Sequence, residues 1–512
     1  LIFKQTDMKR YYFIIRVLPI FLLALGGGCK KMLDIDSSRT VKEENMWNAL
    51  EDTRAGLMGI YGLTKAALDD NNGYWLYGDV RSGDFESPNR QDLKAIIKND
   101  LKANYESLNA LSNWRRWFAV VNAANIFMER APEVRQKDMR YTENNLVVDV
   151  AQARFLRAYA YFNMVRIWGD VPLILNSHDG NFENKPREDR LKLYAWIEKE
   201  MYEAAQLLPY SYSTGDEQQI GDYYNESSSR WNGALVRKLS AYAILAHLAA
   251  WQANYADVAS YSKFVMDNYS KGGAYYLSSS FLTDGNGFFF EKRSEQMFSF
   301  PYIWAHVEAS FTGHIEELTL AAPVVNKSVP DIYMPKEMIL KTFNEKKDQR
   351  FSIDTLGNPN TEVYFRNFNG KYPIFSKIKC IMGGTSDPTF RIFTSATILT
   401  RLEDVALLRA ESLAVLGEKS AAIELLDEIR ERRGLKAYSE TANGDLVDAI
   451  FLERKRELMG EGHRWYDMIR REKIKHDNPK LAQLIADDGI YWPIAKEILS
   501  QNKLIEQNAY WK

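Results

Sequence analysis

The sequence predicts a mainly α protein: a tetratricopeptide-like helical repeat bundle that carries a long irregular insertion with short β pieces. Three observations predict it. In 402–435, Leu402, Val405, Leu408 and Leu413 keep helical spacing, Gly417 breaks the run, and Ile423, Leu426 and Ile429 resume it. Ala406, Ala410, Ala414, Ala421 and Ala422 sit where the two helices must approach closely, and a two-helix unit of about 34 residues has the tetratricopeptide period. The pattern recurs in 233–269, where Ala241, Leu248, Ala249 and Ala256 fall on Ala406, Leu413, Ala414 and Ala421 at an offset of 165. A degenerate third copy aligns by the Gly169 turn, placing Ala158 on Ala406 and Arg166 on Ala414. Finally, 270–401 loses helical period altogether. One hairpin leaves a face uncovered, so these copies are expected to stack.

Composition narrows the function. With 46% apolar and 26% charged residues, the 512-residue chain can bury a large core, and a net charge of −2 gives nucleic-acid binding no support. Cys29 and Cys380 are the only cysteines, and the six histidines show no HExxH spacing. A disulfide framework and a zinc centre therefore have no basis, and no cofactor or metal is expected. Structural calcium near the acidic loops lacks a DxDxDG-type loop to hold it. The 12 Trp, 29 Tyr and 25 Phe suit a large core, an extended binding face, or both.

In chain order, Met8-Lys9-Arg10 reads as the true start, which puts residues 1–7 upstream of it. An apolar run at 17–25 and Gly26-Gly27-Gly28 precede Cys29. The run is too short to span a bilayer. Residues 1–28 resemble a bacterial lipoprotein signal with lipid attached at Cys29, although Leu25 stands four residues before the cysteine instead of three. Residues 29–45 read as a lipidated tether, and Asp34 and Asp36 loosely resemble the surface-export signal of Bacteroidota lipoproteins. Residues 46–512 then form one domain, with repeats at about 46–69, 104–269 and 402–471. A first helix spans 43–68, one at 113–132 is ended by Pro132, one covers 147–168 up to Gly169, and another runs over 190–208 up to Pro209. The irregular regions are 70–103, rich in Gly, Asp, Asn and aromatics, and 270–401. Irregular stretches of that length inside a helical scaffold are usually functional.

Four separated segments carry a specific resemblance: AQARFLRAYAYFNMVRIWGDVPLI at 151–174, the hairpin from 402, ERKRELMGEGHRWYDMIRR at 453–471, and YWPIAKEIL with the terminal NAYW. In this order they resemble the SusD/RagB family of outer-membrane lipoproteins. The resemblance implies a tetratricopeptide-like bundle with an irregular ligand face. It implies glycan capture, in some members peptide capture, at the cell surface, as the lid of a SusC-like TonB-dependent transporter.

The charged positions of 453–471 (Glu453, Arg454, Glu457, Glu461, Arg464, Asp467, Arg470) read as ion pairs fixing the last helices, with Arg454–Glu457 and Arg464–Asp467 as i,i+3 neighbours. His463, Glu403, Arg409 and Glu411 read as structural too, and Phe155, Tyr159, Tyr161, Phe162, Trp168 and Trp465 as core. A surface glycoside hydrolase would need two carboxylates flanking a pocket; Asp79 with Asp84 and Glu316 with Glu317 qualify by number alone. Sugar binding needs flat aromatic faces with polar edges. Two stretches offer both: Tyr74, Trp75 and Tyr77 with Asp79, Arg81, Asp84, Asn89 and Arg90, and Tyr302 and Trp304 with His306, Tyr364, Arg366, Asn367 and Asn369. The expectation is a non-catalytic glycan-binding protein, lipid-anchored to the outer membrane and facing outward. Peptide capture and a purely structural lid are the alternatives within binding and structure.

Overall fold

Among the described residues, ten helices of twelve residues or more stack along the chain, and each long helix packs on the next. They are α1 (Leu50–Asp69), α2 (Arg115–Lys137), α3 (Glu143–Trp168), α4 (Arg190–Leu207), α5 (Lys238–Trp251), α6 (Tyr255–Asn268), α7 (Leu402–Val415), α8 (Lys419–Arg432), α9 (Leu446–Glu457) and α10 (Arg464–Lys475). The structure is a computed structural model. It describes residues 46–177, 184–219, 221–384 and 387–512, without the side chains of 383–390. The expected leader, Cys29 and the whole tether lie outside the described residues. Residues 49–512 form one compact unit.

Helices α1/α2, α3/α4, α5/α6 and α7/α8 pack as four pairs, and α2–α3, α4–α5 and α6–α7 contacts join them into one array. The alanines do what their spacing predicted. Ala246, Ala249 and Ala250 of α5 pack with Val258 and Leu408, and Ala410 and Ala422 let α7 and α8 close over Leu407, Leu413, Leu426 and Ile429. Helix α9 lays Leu446 and Ile450 on the same cluster. Helix α3 is buried nearly all round, from Phe155 to Trp168, because α1, α2 and α4 all contact it. Its ends follow local rules: Thr142 caps the Asn145 amide at the start, and Gly169, at φ 77°, turns the chain out.

One helix end departs from expectation. Pro132 does not stop α2, which continues to Lys137. A proline inside a helix forfeits one hydrogen bond and crowds the preceding turn. Here buried Ala131 and Val134 hold the last turn against its neighbours. Likewise, α1 begins at Leu50, several residues later than its apolar pattern suggests.

Among the described residues, the long insertion has eight short strands paired as four two-stranded antiparallel ribbons. Strand β1 (Phe298–Phe300) pairs with β8 (Thr397–Thr400), so the excursion between them leaves and returns at one ribbon directly before α7. Inside it lie β2 (Phe351–Ile353) with β3 (Pro359–Glu362), β4 (Phe365–Arg366) with β5 (Ile374–Phe375), and β6 (Ile381–Gly384) with β7 (Asp387–Phe393). No helix among the described residues is long and apolar enough to cross a membrane.

Candidate functional site

The segments that stand out in the sequence converge at one junction. A short helix, Gly73–Gly78, docks on the turn before α10: Tyr74 donates its hydroxyl to the carbonyls of Ile398 (3.0 Å) and Glu461 (2.7 Å), and Asp79 accepts from the Gly462 amide at 2.6 Å. A methyl group at Gly78 would lie 2.0 Å from the Gly462 carbonyl oxygen, and one at Gly462 2.5 Å from the Tyr74 ring. Tyr77 meets Trp492 edge-on at 5.0 Å and Trp168 at 6.1 Å. Asn508 closes the group with hydrogen bonds to the Trp168 and Trp492 carbonyls.

Behind this junction lies a buried ionic core. Glu457 accepts from Arg433 (2.7 and 2.8 Å), Arg401 (3.0 Å) and Arg350 (3.1 Å). Arg350 also holds Asp348 and Glu453, Arg401 and Lys377 hold Glu461, and Arg454 and Arg470 share Asp467. Burial opposes charge here, yet the guanidiniums of Arg433 and Arg401 hold Glu457 well below the carboxylate range. Against the same burial, Arg454 and Arg470 bring Asp467 to about 2. The network is structural, as its sequence suggested, but it links different elements. Arg454 reaches Asp404 and Asp467 instead of Glu457, and Arg464 pairs with Asp84.

This docking overturns the first stacking stretch. Trp75 is 4% exposed, Tyr74 and Tyr77 are buried, and their faces are used by the core. Arg81 lies over the Trp465 ring and donates to the Gly489 and Ile490 carbonyls. Asp84 is committed to Lys455 (2.8 Å) and Arg464 (2.6 Å), and Asp79 to Gly462. None of them presents a surface to a ligand. Tyr364 and Phe288 are likewise buried, whereas Arg366 and Asn367 are exposed at the β4–β5 turn, away from the clefts described next.

The two irregular regions meet at a cleft of about 440 Å³. One wall is the end of α1 and the turn after it, with Asp69, Asp70, Asn71 and Asn72; Arg90 and Ser107 extend it. The facing wall is Tyr302, Ser310, Thr312, Gly313 and Glu317. A second cleft of about 420 Å³ shares Thr312 and Glu317 and adds Phe311, Lys327, Asp331 and Arg391. A third, of about 280 Å³, shares Asp70 and Asn71 and adds Asn113, Arg115 and Arg116. Between Tyr302 and Thr312 runs a loop whose apolar side chains face solvent: Trp304 is 47% exposed, Phe311 51% and Val307 91%. Val307 has φ 60°, and Asn71 and Asn72 have φ 55° and 56°. Asparagine tolerates that region, but for a β-branched residue it is strained, and such strain concentrates at ligand clamps.

Beneath the cleft, Asp69 accepts from Tyr302 (2.7 Å) and Thr397 (3.0 Å), and Glu316 accepts from Ser395 (2.7 Å) and the Cys380 amide (3.1 Å). Burial raises both carboxyls to about 7, although these donors pull the other way. Of the residues singled out in the sequence, Tyr302 and Arg90 line this cleft, but Tyr302 offers no stacking face: it is buried, its hydroxyl is bonded to Asp69, and Lys65 Nζ lies 3.6 Å over its ring. Trp304 stands on the adjoining exposed loop, and Asp70, Asn71, Asn72, Phe311 and Lys327 were not singled out. The signal was available: DDNN after a helix is a run of residues that accept left-handed backbone.

Among the described residues, one His/Asp group has metal-ligand proximity: His247, Asp404 and His463, all buried. The two imidazoles stack at 5.4 Å, and His247 Nε2 is 2.7 Å from Asp404 Oδ2. Thr400 and Arg454 donate to the same carboxylate, so it is already neutralised by a guanidinium and both of its oxygens are engaged. That donor set fits a hydrogen-bonded core cluster rather than a cation site.

Residues 336–511 match the sequence profile of the SusD family, and 76–219 match a profile described as "Starch-binding associating with outer membrane". SusD-like protein P38 of Formosa agariphila is 25% identical over 540 residues, covering 96% of this chain and 97% of the relative. A crystallised SusD superfamily protein of Bacteroides thetaiotaomicron is 43% identical; the match covers 92% of this chain and 100% of that one, with a TM-score of 0.84. NanU of Bacteroides fragilis, at 17% identity, shares the fold over 93% of this chain and 100% of its own, with a TM-score of 0.68.

Proposed function

The chain belongs to the SusD family, and from that premise we propose that it is a non-catalytic, lipid-anchored surface protein. It captures an oligosaccharide or polysaccharide and delivers it to a SusC-like TonB-dependent outer-membrane transporter. The carrying observation is the main cleft: its walls are amide, hydroxyl and carboxylate groups, and the loop between Tyr302 and Thr312 exposes Trp304. Sugars need that mixture, with polar edges for hydroxyls and an aromatic face for the apolar side of a pyranose. The 76–219 profile, described as starch-binding, begins within the Gly73–Gly78 helix and supports the same reading. Anchoring is assigned to Cys29.

The carboxylates favour binding over hydrolysis. Asp79 and Asp84 are occupied at the junction. Glu316 is buried with both oxygens bonded, and Glu317 is its immediate neighbour on a short helix. Residues at i,i+1 do not face each other across a gap, as a general acid and its partner must.

Affinity electrophoresis against a polysaccharide panel tests the proposal, comparing the wild type with Trp304→Ala. Retardation by at least one glycan, weakened about tenfold in the variant, is expected. A protein that no glycan retards but that retains members of a peptide library would transfer the reading to peptide capture. Released reducing ends would overturn the absence of catalysis.

A further inference from the structure

The main cleft has an imbalance in its hydrogen-bonding groups. Asn72 is 8% exposed, and its Nδ2 donates to Glu317 Oε2 at 2.8 Å; the Gly313 amide donates to the same oxygen at 3.1 Å. The contact to a carboxylate fixes the amide's orientation, because a flipped Asn72 would set oxygen against oxygen. Asn72 Oδ1 is therefore an acceptor, and it is buried without a partner in the wall of the cleft. Glu317 Oε1 has no hydrogen bond among the described residues, and Glu317 has no salt bridge there. The two free acceptors belong to one hydrogen-bonded pair in the wall of the cleft.

The cations on these walls are nearly all engaged. Arg90 forks onto Asp92 at 2.6 and 2.9 Å, Arg116 pairs with Asp70, and Lys327 pairs with Asp331 at 3.1 Å. The exposed Arg391 lines only the second cleft. The centre of the main cleft therefore offers acceptors and a Glu317 carboxylate that no cation pairs directly among the described residues: Lys327 reaches only its backbone carbonyl, at 2.6 Å, and Arg90, which acts on it at longer range, is forked onto Asp92. Such a centre asks for donors. A sugar hydroxyl supplies a donor; a carboxylate or sulfate supplies only repulsion.

We infer that the ligand is an uncharged, hydroxyl-rich glycan whose hydroxyls donate to Asn72 Oδ1 and Glu317 Oε1, and that Glu317 excludes polyanionic glycans. This rests on the glycan reading above. Glu317 is the specificity determinant, and Asn72 completes it.

The test is paired. Wild-type protein and Glu317→Gln are titrated against neutral polysaccharides (a glucan, a mannan, a xylan, a galactan) and against polygalacturonate, alginate and a sulfated galactan. Gln keeps an oxygen for Asn72 and Gly313 while removing the charge. The wild type should bind at least one neutral glycan and no anionic one. Glu317→Gln should lose severalfold in neutral affinity and gain at least tenfold for an anionic chain. The wild-type comparison needs no variant, so the inference stands or falls even if Glu317→Gln misfolds. Neutral binding should also be nearly independent of salt from 50 to 500 mM, because no ligand charge is involved. Wild-type preference for an anionic glycan, weakening with salt, would overturn this inference and leave the glycan reading intact. Unchanged selectivity in a folded Glu317→Gln would also overturn it. Failure to bind any glycan would overturn both.

Discussion

The junction before α10 and the cleft beside α1 are built from similar residues, acids, arginines, tyrosines and glycines, and put them to opposite uses. At the junction each carboxylate meets a guanidinium, an ammonium or a backbone amide, and glycines bring backbone into direct contact. At the cleft, Asn72 Oδ1 and Glu317 Oε1 are left over, and an aromatic loop faces water. The number of charges does not separate the two regions, and neither do buried orphan atoms, since Trp168 Nε1 and Trp492 Nε1 lack partners at the junction too. What differs is where the unused groups lie: inside the packed core at the junction, and in the wall of a cleft at Asn72 and Glu317.

The strongest way to break this contrast is at Glu457. Glu457→Ala leaves Arg350, Arg401 and Arg433 without their shared partner in the core, and losing one side of a buried ion pair typically costs about 3–5 kcal/mol. Urea denaturation should show that loss, while the folded fraction keeps its glycan affinity.

Next, the buried carboxyls should respond to pH in two opposite ways. Asp69 and Glu316 beneath the cleft, and Asp79 at the junction, carry folded pKa values raised to about 7 by burial, so their contribution is present below about pH 4 and is lost as pH rises to about 7. Asp467 is lowered to about 2, so its contribution is present above about pH 4 and is lost as pH falls toward 2. Asp69→Asn, which cannot ionise, should flatten the decline between pH 4 and 7 by roughly 3 kcal/mol. Denaturation midpoints at pH 4.5 and 7.5 check it; an unchanged slope would remove Asp69 from the account.

Gly462→Ala should cost about 2 kcal/mol, because the methyl group meets the Tyr74 ring and the residue sits at φ 76°. Its melting temperature should fall without a change in ligand selectivity. The smallest effect on stability belongs to Trp304→Ala, within about 0.5 kcal/mol for an exposed side chain, although binding should weaken by about 1–2 kcal/mol. A large stability loss there would move Trp304 to the scaffold.

The helical array was legible because alanines at a fixed offset report a crossing between helices, and that information is local. Ion pairing was legible only in kind: helical spacing suggests Arg454–Glu457, but the partner of Glu457 that matters is Arg433, 24 residues earlier, and only the stacked array brings them together. The first aromatic stretch misled because Gly, Asp and Asn around Tyr74 and Trp75 read as an exposed loop. Nothing in 73–78 announces that a glycine 384 positions later leaves room for the helix to sink in. The cleft was legible in region but not in residues, since Asn72 and Glu317 acquire meaning only as a pair.

The contact between Gly78 and Gly462 restricts how this sequence can change. In most packed interfaces a larger side chain on one surface can be accommodated by a smaller one opposite. Here both sides already carry the smallest residue there is, and a single added carbon at Gly78 would stand 2.0 Å from a carbonyl oxygen. No second substitution can restore the fit, so these two positions cannot drift together any more than they can drift apart. Two points nearly four hundred residues distant are thus tied by exclusion alone, while the walls of the cleft remain free to vary.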